Sequence, residues 1–416
     1  EQIIESHKDI QKLDKNTKGP TLNPEQKKAI LDVKKSHTFN TFLLDGVTGS
    51  GKTEIYLNLI SDVIERGQDA LILVPEIGLI NQLNRRIEVR LGIKPSQYHS
   101  GLTEKERFIT WKKIQESKTR IILGTRSAIL APFKNLGLIV VDEEHDISYK
   151  QQEGFRYSAR DLAVMRAKNF NIPIILGSAT PSLESFNQHV NNKYKYLTLK
   201  KRAGNAKMPS MHLIDLNKGH SEDGLSKLLI KSMNEHIEND GQILVFINRR
   251  GYAPTLICKT CNFIAECLRC DSRMTLYLSK KLLLCHHCNY KEKYKNSCIK
   301  CDSEMIALGQ GSQRIEDSLK KHFPNEQILR IDSDSTQQKN SLDEALEKAK
   351  AGKAKILVGT QMLSKGHHFS SLSLVVVVNA DQGLFSNDFR GSERLAQNIT
   401  QVAGRAGREK KKGQVI

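Results

Sequence analysis

The sequence predicts an α/β protein with two parallel-sheet lobes and a small cysteine-rich insertion in the second lobe. Short apolar runs alternate with amphipathic stretches on both sides of a polar segment at about 200–224, and all eight cysteines lie between Cys258 and Cys301. Near-continuous β-branched runs separated by helical stretches are typical of strands that a parallel sheet buries on both faces. A chain of 416 residues is long enough for two or three domains.

The candidate strands fall into two sets, one in each lobe. The first set is TFLLD, ALILVP, RIILG, GLIVVD and IPIIL, at residues 41–45, 70–75, 120–124, 137–142 and 172–176. The second set is QILVFI, ILRI, KILVGT and LSLVVVVN, at residues 242–247, 328–331, 355–360 and 372–379. We therefore predict a linker at 1–21, a first lobe at 22–224, and a second lobe at 225–416 interrupted by the insertion at 258–302. Because the chain begins with Glu1 instead of methionine, we expect a central part of a longer protein.

The charge of the chain favours a polyanionic partner. The formal net charge is +18, from 64 basic and 46 acidic residues, and the isoelectric point is near 9.4. Such an excess is typical of nucleic-acid-binding proteins, although solvated surface lysines produce it too. No apolar run reaches the roughly 20 residues that span a bilayer, so no membrane partner is predicted.

A glycine-rich segment after the first candidate strand predicts a phosphate-binding loop. GVTGSGKT at 46–53 fits the pattern G-x-x-x-x-G-K-[ST] and precedes a helix-like stretch. Lys52 would reach the β- and γ-phosphates of ATP, and Thr53 would bind Mg²⁺. The alternative is a chance glycine-rich turn, for which neither the preceding strand nor the following helix is needed. The predicted nucleotide-binding residues of the loop are Gly46, Val47, Thr48, Gly49, Ser50, Gly51, Lys52 and Thr53.

Two further segments would complete the catalytic set of an ATPase. DEEH at 142–145 follows the strand GLIVV, so a strand end would deliver Asp142 to Mg²⁺ and Glu143 to the attacking water as general base. QVAGRAGR at 401–408 offers Arg405 and Arg408 three residues apart, on one helical face. Arginine is planar and always protonated, which suits it to the charge of the γ-phosphate. A solvated turn and a basic surface helix are the respective alternatives.

The cysteines form four C-x-x-C pairs, which predict two Cys₄ zinc sites. The pairs are Cys258/Cys261, Cys267/Cys270, Cys285/Cys288 and Cys298/Cys301. The 14-residue interval between the inner pairs is near the spacing of zinc ribbons, which leaves the outer pairs to share a second ion. Each pair is followed by a residue that tolerates the left-handed conformation of a tight turn: Asn262, Asp271, Asn289 and Asp302. Disulfides, a single metal ion and an iron–sulfur cluster are the alternatives, and closed coordination predicts a structural role.

Several motifs together resemble those of superfamily 2 helicases. LVPEIGL (73–79), TRSA (125–128), GSATPS (177–182) and GTQMLSKGHHF (359–369) resemble its motifs Ia, Ib, III and V, and LNPEQ (22–26) resembles its adenine-recognition element, with Gln26 as the reader. Longer segments resemble the PriA family of replication-restart helicases, together with the four cysteine pairs. They are DEEHDISYKQQEGFRYSARDLAVMRA (142–167), FINRRGYAP (246–254) and SNDFRGSERLAQNITQVAGRAGR (386–408).

This resemblance implies two RecA-like lobes, with ATP and Mg²⁺ in the cleft between them and two nested Zn²⁺ ions in the insertion. It implies 3′→5′ unwinding of single-stranded and forked DNA at stalled or collapsed replication forks. It also implies primosome proteins and single-stranded DNA-binding protein as partners, and a cytoplasmic, nucleoid-associated location in a bacterium. From the residues, an RNA helicase, a duplex-DNA translocase and a zinc-organised scaffold with a vestigial ATPase remain as alternatives.

Aromatic and basic residues beyond DEEH predict a segment that links DNA binding to hydrolysis. Tyr149, Phe155, Arg156 and Tyr157 lie together in the sequence. Aromatic faces stack on bases and cations hold the phosphate backbone, so we expect contact with single-stranded DNA. The segment resembles the aromatic-rich loop of related helicases. The alternative is ordinary packing of the aromatic rings against the first lobe.

Overall fold

The computed structural model divides the chain into two compact units, 1–205 and 206–416. The residues that it describes are 19–36, 38–203, 207–218, 221–222, 224–247, 255–270, 274–277, 282–285, 288–308, 312–331, 341–360, 369–385, 388–407 and 413–416. In this part of the chain, no helix combines the length and the apolar character that crossing a membrane requires.

The first unit is built on a parallel sheet of seven strands. They are β1 (Asn40–Gly46), β2 (Asp69–Leu73), β3 (Ser96–Tyr98), β4 (Ile121–Gly124), β5 (Leu136–Asp142), β6 (Pro173–Ser178) and β7 (Lys195–Leu199), in the order β3-β4-β2-β5-β6-β1-β7. The helices are α1 (Pro24–Lys34), α2 (Lys52–Glu65), α3 (Ile77–Leu91), α4 (Glu104–Gln115), α5 (Ala159–Phe170) and α6 (Leu183–Val190). Because β6 lies between β1 and β5, the loops that follow these three strands meet at one edge of the sheet.

Both faces of this sheet are covered by apolar side chains. Along β1, Phe42 and Leu44 belong to one core cluster, whereas Leu43 belongs to another on the opposite face. All three side chains are 0% exposed. Successive strand residues point to opposite faces, so a strand buried on both sides is apolar without alternation. The prediction of a doubly covered parallel sheet is confirmed here.

The second unit contains a parallel sheet of six strands. In chain order the strands of this unit begin with β8 (Ser210–Met211), a short antiparallel pair β9 (Ser221–Glu222) and β10 (Leu225–Ser226), and β11 (Gln242–Ile247). The sheet pairs β8 and β11 with four later strands, β17 (Ile328–Ile331), β18 (Ile356–Gly359), β19 (Leu372–Val378) and β20 (Gln414–Val415), in the order β17-β18-β11-β19-β20-β8. The helices are α7 (Lys227–Glu238), α8 (Ser312–His322), α9 (Ser341–Lys350) and α10 (Gly391–Ala403).

The boundary between the units differs from the predicted one. The first lobe was expected to reach residue 224, but the compact units divide at 205/206. The reason is the strand β8, which pairs with β20 and so belongs to the second sheet. Two residues of strand in a polar stretch give no periodic signal, and the partner lies more than 200 residues away.

An antiparallel sheet of five short strands is inserted between β11 and α8. Its strands are β12 (Thr255–Cys258), β13 (Thr275–Tyr277), β14 (Leu282–Leu284), β15 (Lys291–Lys293) and β16 (Met305–Leu308), in the order β15-β14-β13-β12-β16. We call residues 255–308 the cysteine module. It has its own core, in which Leu256, Met274, Leu276 and Leu283 pack with buried cysteines. The module extends a few residues beyond the predicted 258–302 at both ends, because β12 and β16 pair there.

Candidate nucleotide and metal sites

The predicted phosphate loop lies between β1 and α2 and has the backbone that the motif requires. Gly49 and Gly51 have φ of +81° and +83°, in the region that glycine enters without steric cost. A Cβ on Gly51 would lie 2.4 Å from Gln26 Nε2. The Lys52 ammonium donates to the Gly46 carbonyl at 3.0 Å, and among the described residues the hydroxyl of the buried Ser50 has no hydrogen-bond partner. Two left-handed glycines, an ammonium held against the loop backbone and the start of a helix fit a nucleotide phosphate.

Gln26 is fixed against this loop by the start of α1. Asn23 and Gln26 form a capping box, in which the Gln26 side-chain oxygen accepts from the Asn23 amide at 2.9 Å. The Gln26 amide group donates to the Ser50 carbonyl at 2.8 Å. The side chain is therefore placed beside the loop. Its predicted contact with adenine remains a prediction.

Asp142 ends β5, and its carboxylate is held by a residue that sequence reasoning missed. The hydroxyl of Tyr56, in α2, donates to Asp142 Oδ1 at 2.9 Å. Gly177 stands opposite Asp142 in the β5–β6 pair, and a Cβ there would lie 1.8 Å from the Tyr56 hydroxyl. The absent side chain of Gly177 thus makes room for the contact. In the sequence Tyr56 is an ordinary apolar position of a helix, so only its place beside β5 reveals the role.

The electrostatics and backbone of the acidic segment are unusual. Desolvation, with the neighbouring Glu143, raises the pKa of Asp142 to about 6, and Lys52 and the Tyr56 hydroxyl act in the opposite direction. Glu143 has φ of +49°, a left-handed conformation that costs about 1–3 kcal/mol in a residue other than glycine. His145 Nδ1 lies 3.6 Å from Glu143 Oε2 and 2.7 Å from Ser178 Oγ. His145 therefore connects the predicted general base to the end of β6.

Glu144, which no motif prediction singled out, joins the same two segments from the inside. It is 1% exposed, and its carboxylate accepts from the Ser182 amide at 2.7 Å and from the Ser185 hydroxyl at 2.7 Å. Arg160 Nη1 lies 3.3 Å from the Glu144 carboxylate and donates to Ser182 Oγ at 2.8 Å. A buried carboxylate is stable only with several donors, and these supply them. Hydrogen bonds thereby connect the DEEH segment, the GSATPS segment and the start of α5.

The stacking role predicted for Tyr149 has to be corrected. Its side chain is 2% exposed and packs in the core between the sheet and α5, so neither ring face is open to a base. Its hydroxyl donates to the Asp142 carbonyl at 2.7 Å. Nearby, Arg126 Nη1 donates to the Ser148 and Lys150 carbonyls, at 3.0 and 3.1 Å. Tyr149 thus anchors the segment to the DEEH motif, and its buried ring offers no face for stacking.

The rest of the predicted coupling segment forms a small exposed loop on this anchor. Lys150 and Ser158 form an antiparallel bridge, and the Gln151 amide donates to the Tyr157 carbonyl at 2.9 Å. At the tip Phe155 is 79% exposed, with its ring centroid 5.8 Å from that of the half-buried Tyr157. Arg156 is exposed beside it. Phe155 and Arg156 are therefore accessible to a ligand, and their DNA contact remains a prediction.

The arginine candidates lie in the second unit, just beyond α10. Arg405 is 8% exposed, and its amide donates to the Val402 carbonyl at 2.9 Å. Arg408 lies outside the described residues, as do residues 361–368 of the segment that resembles motif V. The catalytic role of both arginines stays a prediction.

The structure brings the eight cysteines together in two groups of four. One holds the outer pairs, Cys258, Cys261, Cys298 and Cys301, and the other holds the inner pairs, Cys267, Cys270, Cys285 and Cys288; in each group the sulfurs lie within 4.8 Å of one another. Neighbouring sulfurs are as close as 3.4 Å in both groups. A tetrahedral site with Zn–S bonds of about 2.3 Å separates its sulfurs by about 3.8 Å. Both groups therefore fit one Zn²⁺ ion each.

The backbone around the cysteines supports thiolate ligands. Asn262, Asn289 and Asp302 have φ of +56°, +58° and +55°, as predicted for the residue after each pair; Asp271 lies outside the described residues. In three pairs a backbone N–H points at the first sulfur: Thr260 to Cys258, Arg269 to Cys267 and Lys300 to Cys298, each at 3.4 Å. Donors aimed at sulfur stabilise the negative charge of a thiolate, as outer-shell hydrogen bonds do in metal sites.

Comparison with known families assigns the class of protein. The DEAD/DEAH box helicase model matches residues 23–189, and the helicase conserved C-terminal domain model matches residues 279–410. RecG bound to a three-way DNA junction has a TM-score of 0.56 to this structure at 17% identity, over 95% of this chain and 42% of that one. MrfA, a DUF1998 helicase bound to DNA, has a TM-score of 0.57 at 16% identity, over 95% and 48%. The two units are the RecA-like pair of a superfamily 2 helicase.

The relatives found by sequence identify the family within this class. The chain is 47% identical over 397 residues to the replication restart protein PriA of Haemophilus influenzae, covering 95% of this chain and 54% of the relative. It is 41% identical over 412 residues to the replication restart protein PriA of Bacillus subtilis, covering 97% and 51%. The chain belongs to the PriA family. It spans about half the length of these two relatives.

Proposed function

We propose that this chain is the motor of an ATP-dependent 3′→5′ DNA helicase. It would act at stalled or collapsed replication forks, in primosome assembly and replication restart. The observation that carries the proposal is the meeting of Lys52, Asp142 and Glu143 at one edge of the first sheet, in a chain that matches PriA over 95% of its length. Direction and fork specificity rest on the family alone.

The residues of the first unit would divide the work of hydrolysis. The loop 46–53 would hold the phosphates of ATP, with Lys52 neutralising their charge and Gln26 beside the base. Mg²⁺, held by Thr53 and Asp142, would neutralise phosphate charge. Glu143 would take the proton of the attacking water, with His145 fixing its carboxylate. Arg405 and Arg408 would supply positive charge from the second unit.

The cysteine module would hold two structural Zn²⁺ ions. All four ligands of each group come from the protein, which leaves no position for a substrate. Exposed knuckle residues such as Leu268 and Ile299, 73% and 71% exposed, offer a surface for DNA or for a partner. Forked and single-stranded DNA, primosome proteins and single-stranded DNA-binding protein are the proposed partners, in the cytoplasm of a bacterium near its nucleoid.

The exposed loop at 150–158 would couple strand binding to hydrolysis. Its base is tied to Asp142 through Tyr149 and to Pro75, in the segment that resembles motif Ia, through Ser148 Oγ at 3.0 Å. A nucleobase stacked on Phe155 would therefore displace a loop that is hydrogen-bonded to the predicted Mg²⁺ motif. Phe155→Ala should reduce DNA-stimulated hydrolysis more than DNA-free hydrolysis, and an equal loss in both would count against coupling.

The proposal is tested by steady-state ATP hydrolysis with no polymer, with single-stranded DNA and with single-stranded RNA. We expect strong stimulation by DNA over RNA, abolished in Lys52→Ala. Stimulation by RNA alone would instead indicate an RNA helicase. Nucleotide and DNA binding with no turnover under any condition would indicate a scaffold, and strand displacement on forked duplexes separates a helicase from a duplex translocase.

A further inference from the structure

A short sequence pattern occurs once in each unit. FRYSAR at 155–160 and FRGSER at 389–394 both read F-R-x-S-x-R. Each copy lies at the start of a helix, α5 in the first unit and α10 in the second. α5 follows the DEEH segment, and α10 leads into the GRAGR segment at 404–408. The pattern thus accompanies a predicted nucleotide motif in both units.

The phenylalanine of the second copy is almost fully accessible. Phe389 is 91% exposed, against 79% for Phe155. The guanidinium carbon of Arg390 lies 5.3 Å from the centroid of the Phe389 ring. A single exposed aromatic is common on protein surfaces and by itself indicates no ligand. An open ring held beside a cation, in contrast, is the arrangement with which proteins bind single-stranded nucleic acid.

The loop that carries Phe389 is fixed by its own hydrogen bonds. Asp388 Oδ1 accepts from the Arg390 amide at 3.0 Å, and the Asp388 carbonyl accepts from the Gly391 amide at 2.7 Å. The Arg394 guanidinium pairs with the other carboxylate oxygen of Asp388. In the first copy the last arginine, Arg160, is likewise held inside the unit, by Glu144. In both copies the last arginine anchors the segment while the phenylalanine stays outside.

The charge of the chain is shared equally by the two units. Each half of the chain, divided at 205/206, carries 32 lysines and arginines against 23 acidic residues, a formal charge of +9. Eight thiolates and two Zn²⁺ in the proposed sites would add −4 to the second unit and leave it at +5, so both units stay positive and a polyanion has an electrostatic reason to contact each of them.

We propose that Phe389 and Arg390 form a base-stacking contact for single-stranded DNA on the second unit, the counterpart of Phe155 and Arg156 on the first. The inference rests on the proposed function as a DNA helicase. The ring would stack on a base and the guanidinium would meet a backbone phosphate. Every base has a π-face, so such a contact is independent of sequence, as translocation requires.

The test is the affinity of the whole chain for a fluorescein-labelled oligothymidylate, measured by anisotropy across a salt series. Phe389→Ala should weaken binding about tenfold and leave the slope of log K against log salt unchanged. Arg390→Ala should reduce that slope by about 0.7, the value for one phosphate of a single strand. Phe108→Ala removes a ring that is 63% exposed on α4, outside both copies of the pattern, and should change neither quantity.

A fluorescence readout reports on the position itself. The chain has one tryptophan, Trp111, so Phe389→Trp in a Trp111→Phe background gives a single reporter. We expect oligothymidylate to quench its emission through stacking, and Phe108→Trp in that background to stay bright. Unquenched emission together with wild-type affinity in Phe389→Ala would overturn the inference, as would weakened ATP binding with unchanged DNA affinity. Failure of the wild-type chain to bind DNA would instead overturn the proposed function.

Discussion

The parallel sheets and the cysteine module are built on different physical principles. β11 has all six residues buried, and on both of its faces aliphatic side chains exclude water. The module's strands have three or four residues each, and of the ten core residues that the structure describes in it four are cysteines. Apolar burial stabilises by about 25 cal/mol per Å², which suffices for a large sheet but leaves a domain as small as this module with only a few kcal/mol. One chain thus combines sheets held by apolar burial with a module whose core is built around two groups of cysteines that could hold metal.

The module also has a symmetry that the sheets lack. CKTCNF at 258–263 matches CHHCNY at 285–290, and CLRCDS at 267–272 matches CIKCDS at 298–303. Each group of four cysteines takes one knuckle of each kind. In one group Arg269 lies over the Tyr290 ring, and in the other Lys300 lies over the Phe263 ring, both at 4.9 Å. The two sites are therefore equivalent in design, although the pairs follow one another in nested order.

Removal of metal should have the largest effect, and it should act on the cysteine module and not on the parallel sheets. Structural zinc sites contribute about 10–16 kcal/mol of apparent binding energy, which is also folding energy. We expect a strong chelator to release two ions per chain and to open the amides of β12–β16 to hydrogen exchange, with β1 and β11 still protected. Exchange by mass spectrometry with metal analysis measures both. Equal deprotection of β1 would show that the sheets depend on the metal.

Glu143→Gln should affect chemistry and leave both kinds of fold intact. Loss of a general base costs about 10²–10⁴ in rate. We expect ATP hydrolysis to fall by that factor while nucleotide binding, zinc content and the melting temperature stay unchanged. The control is Glu153→Gln, an exposed residue of the loop 150–158, which should hydrolyse ATP normally. A large drop in melting temperature for Glu143→Gln would place Glu143 among the residues that hold the sheet.

Gly177→Ala tests whether the parallel sheet beside the predicted nucleotide site tolerates one additional methyl group. The new methyl group would lie 1.8 Å from the Tyr56 hydroxyl and 3.0 Å from the ring carbon that bears it. Overpacking of this kind costs about 1–3 kcal/mol of unfolding free energy. Tyr56→Phe removes the closer contact, so the double variant should regain part of that loss in denaturant titrations. Additive losses in the double variant would contradict the proposed contact.

The smallest effect should come from the cation–π pairs of the module. Arg269→Ala and Lys300→Ala each remove a contact worth about 0.5–1 kcal/mol at an exposed site. We expect zinc affinity to fall by less than tenfold and by the same factor at the two sites, read from competition with a chromogenic chelator. Lys259→Ala, in a knuckle of the other kind, removes a cation that pairs with Glu304 and serves as the control. Unequal losses would show that the two groups of cysteines differ in more than the order of their pairs along the chain.

The sequence was most informative where a pattern is local. All nine predicted strands are present, because a β-branched run buried on both faces depends on its own residues. The left-handed turns at Asn262, Asn289 and Asp302 are also local and are confirmed. In the two parallel sheets β3, β7, β8 and β20 were missed, since each is short, polar or at a sheet edge, where pairing comes from distant partners. The pair β9–β10 and the five strands of the cysteine module were not predicted either.

The site was less predictable where roles depend on three-dimensional neighbours. Tyr149 and Phe155 lie six residues apart in the same aromatic, basic segment, yet one is 2% and the other 79% exposed. Composition cannot separate an anchor from an exposed tip. Tyr56 and Glu144 likewise gain their roles only from β5, β6 and α6 coming together. The position of Gly177 opposite Asp142 in the neighbouring strand is visible only once the register of β5 and β6 is known.

The first and last strands of the cysteine module pair with each other. Thr255 faces Leu308 in the β12–β16 pair, so the two ends of the module lie side by side, about 5 Å apart. A segment with adjoining ends can be excised and replaced by a tight turn without stretching the strands on either side. For the same reason the module could be inserted into a surface hairpin of an unrelated protein. There it would fold as a separate domain when a metal ion is supplied and unfold when the ion is withdrawn.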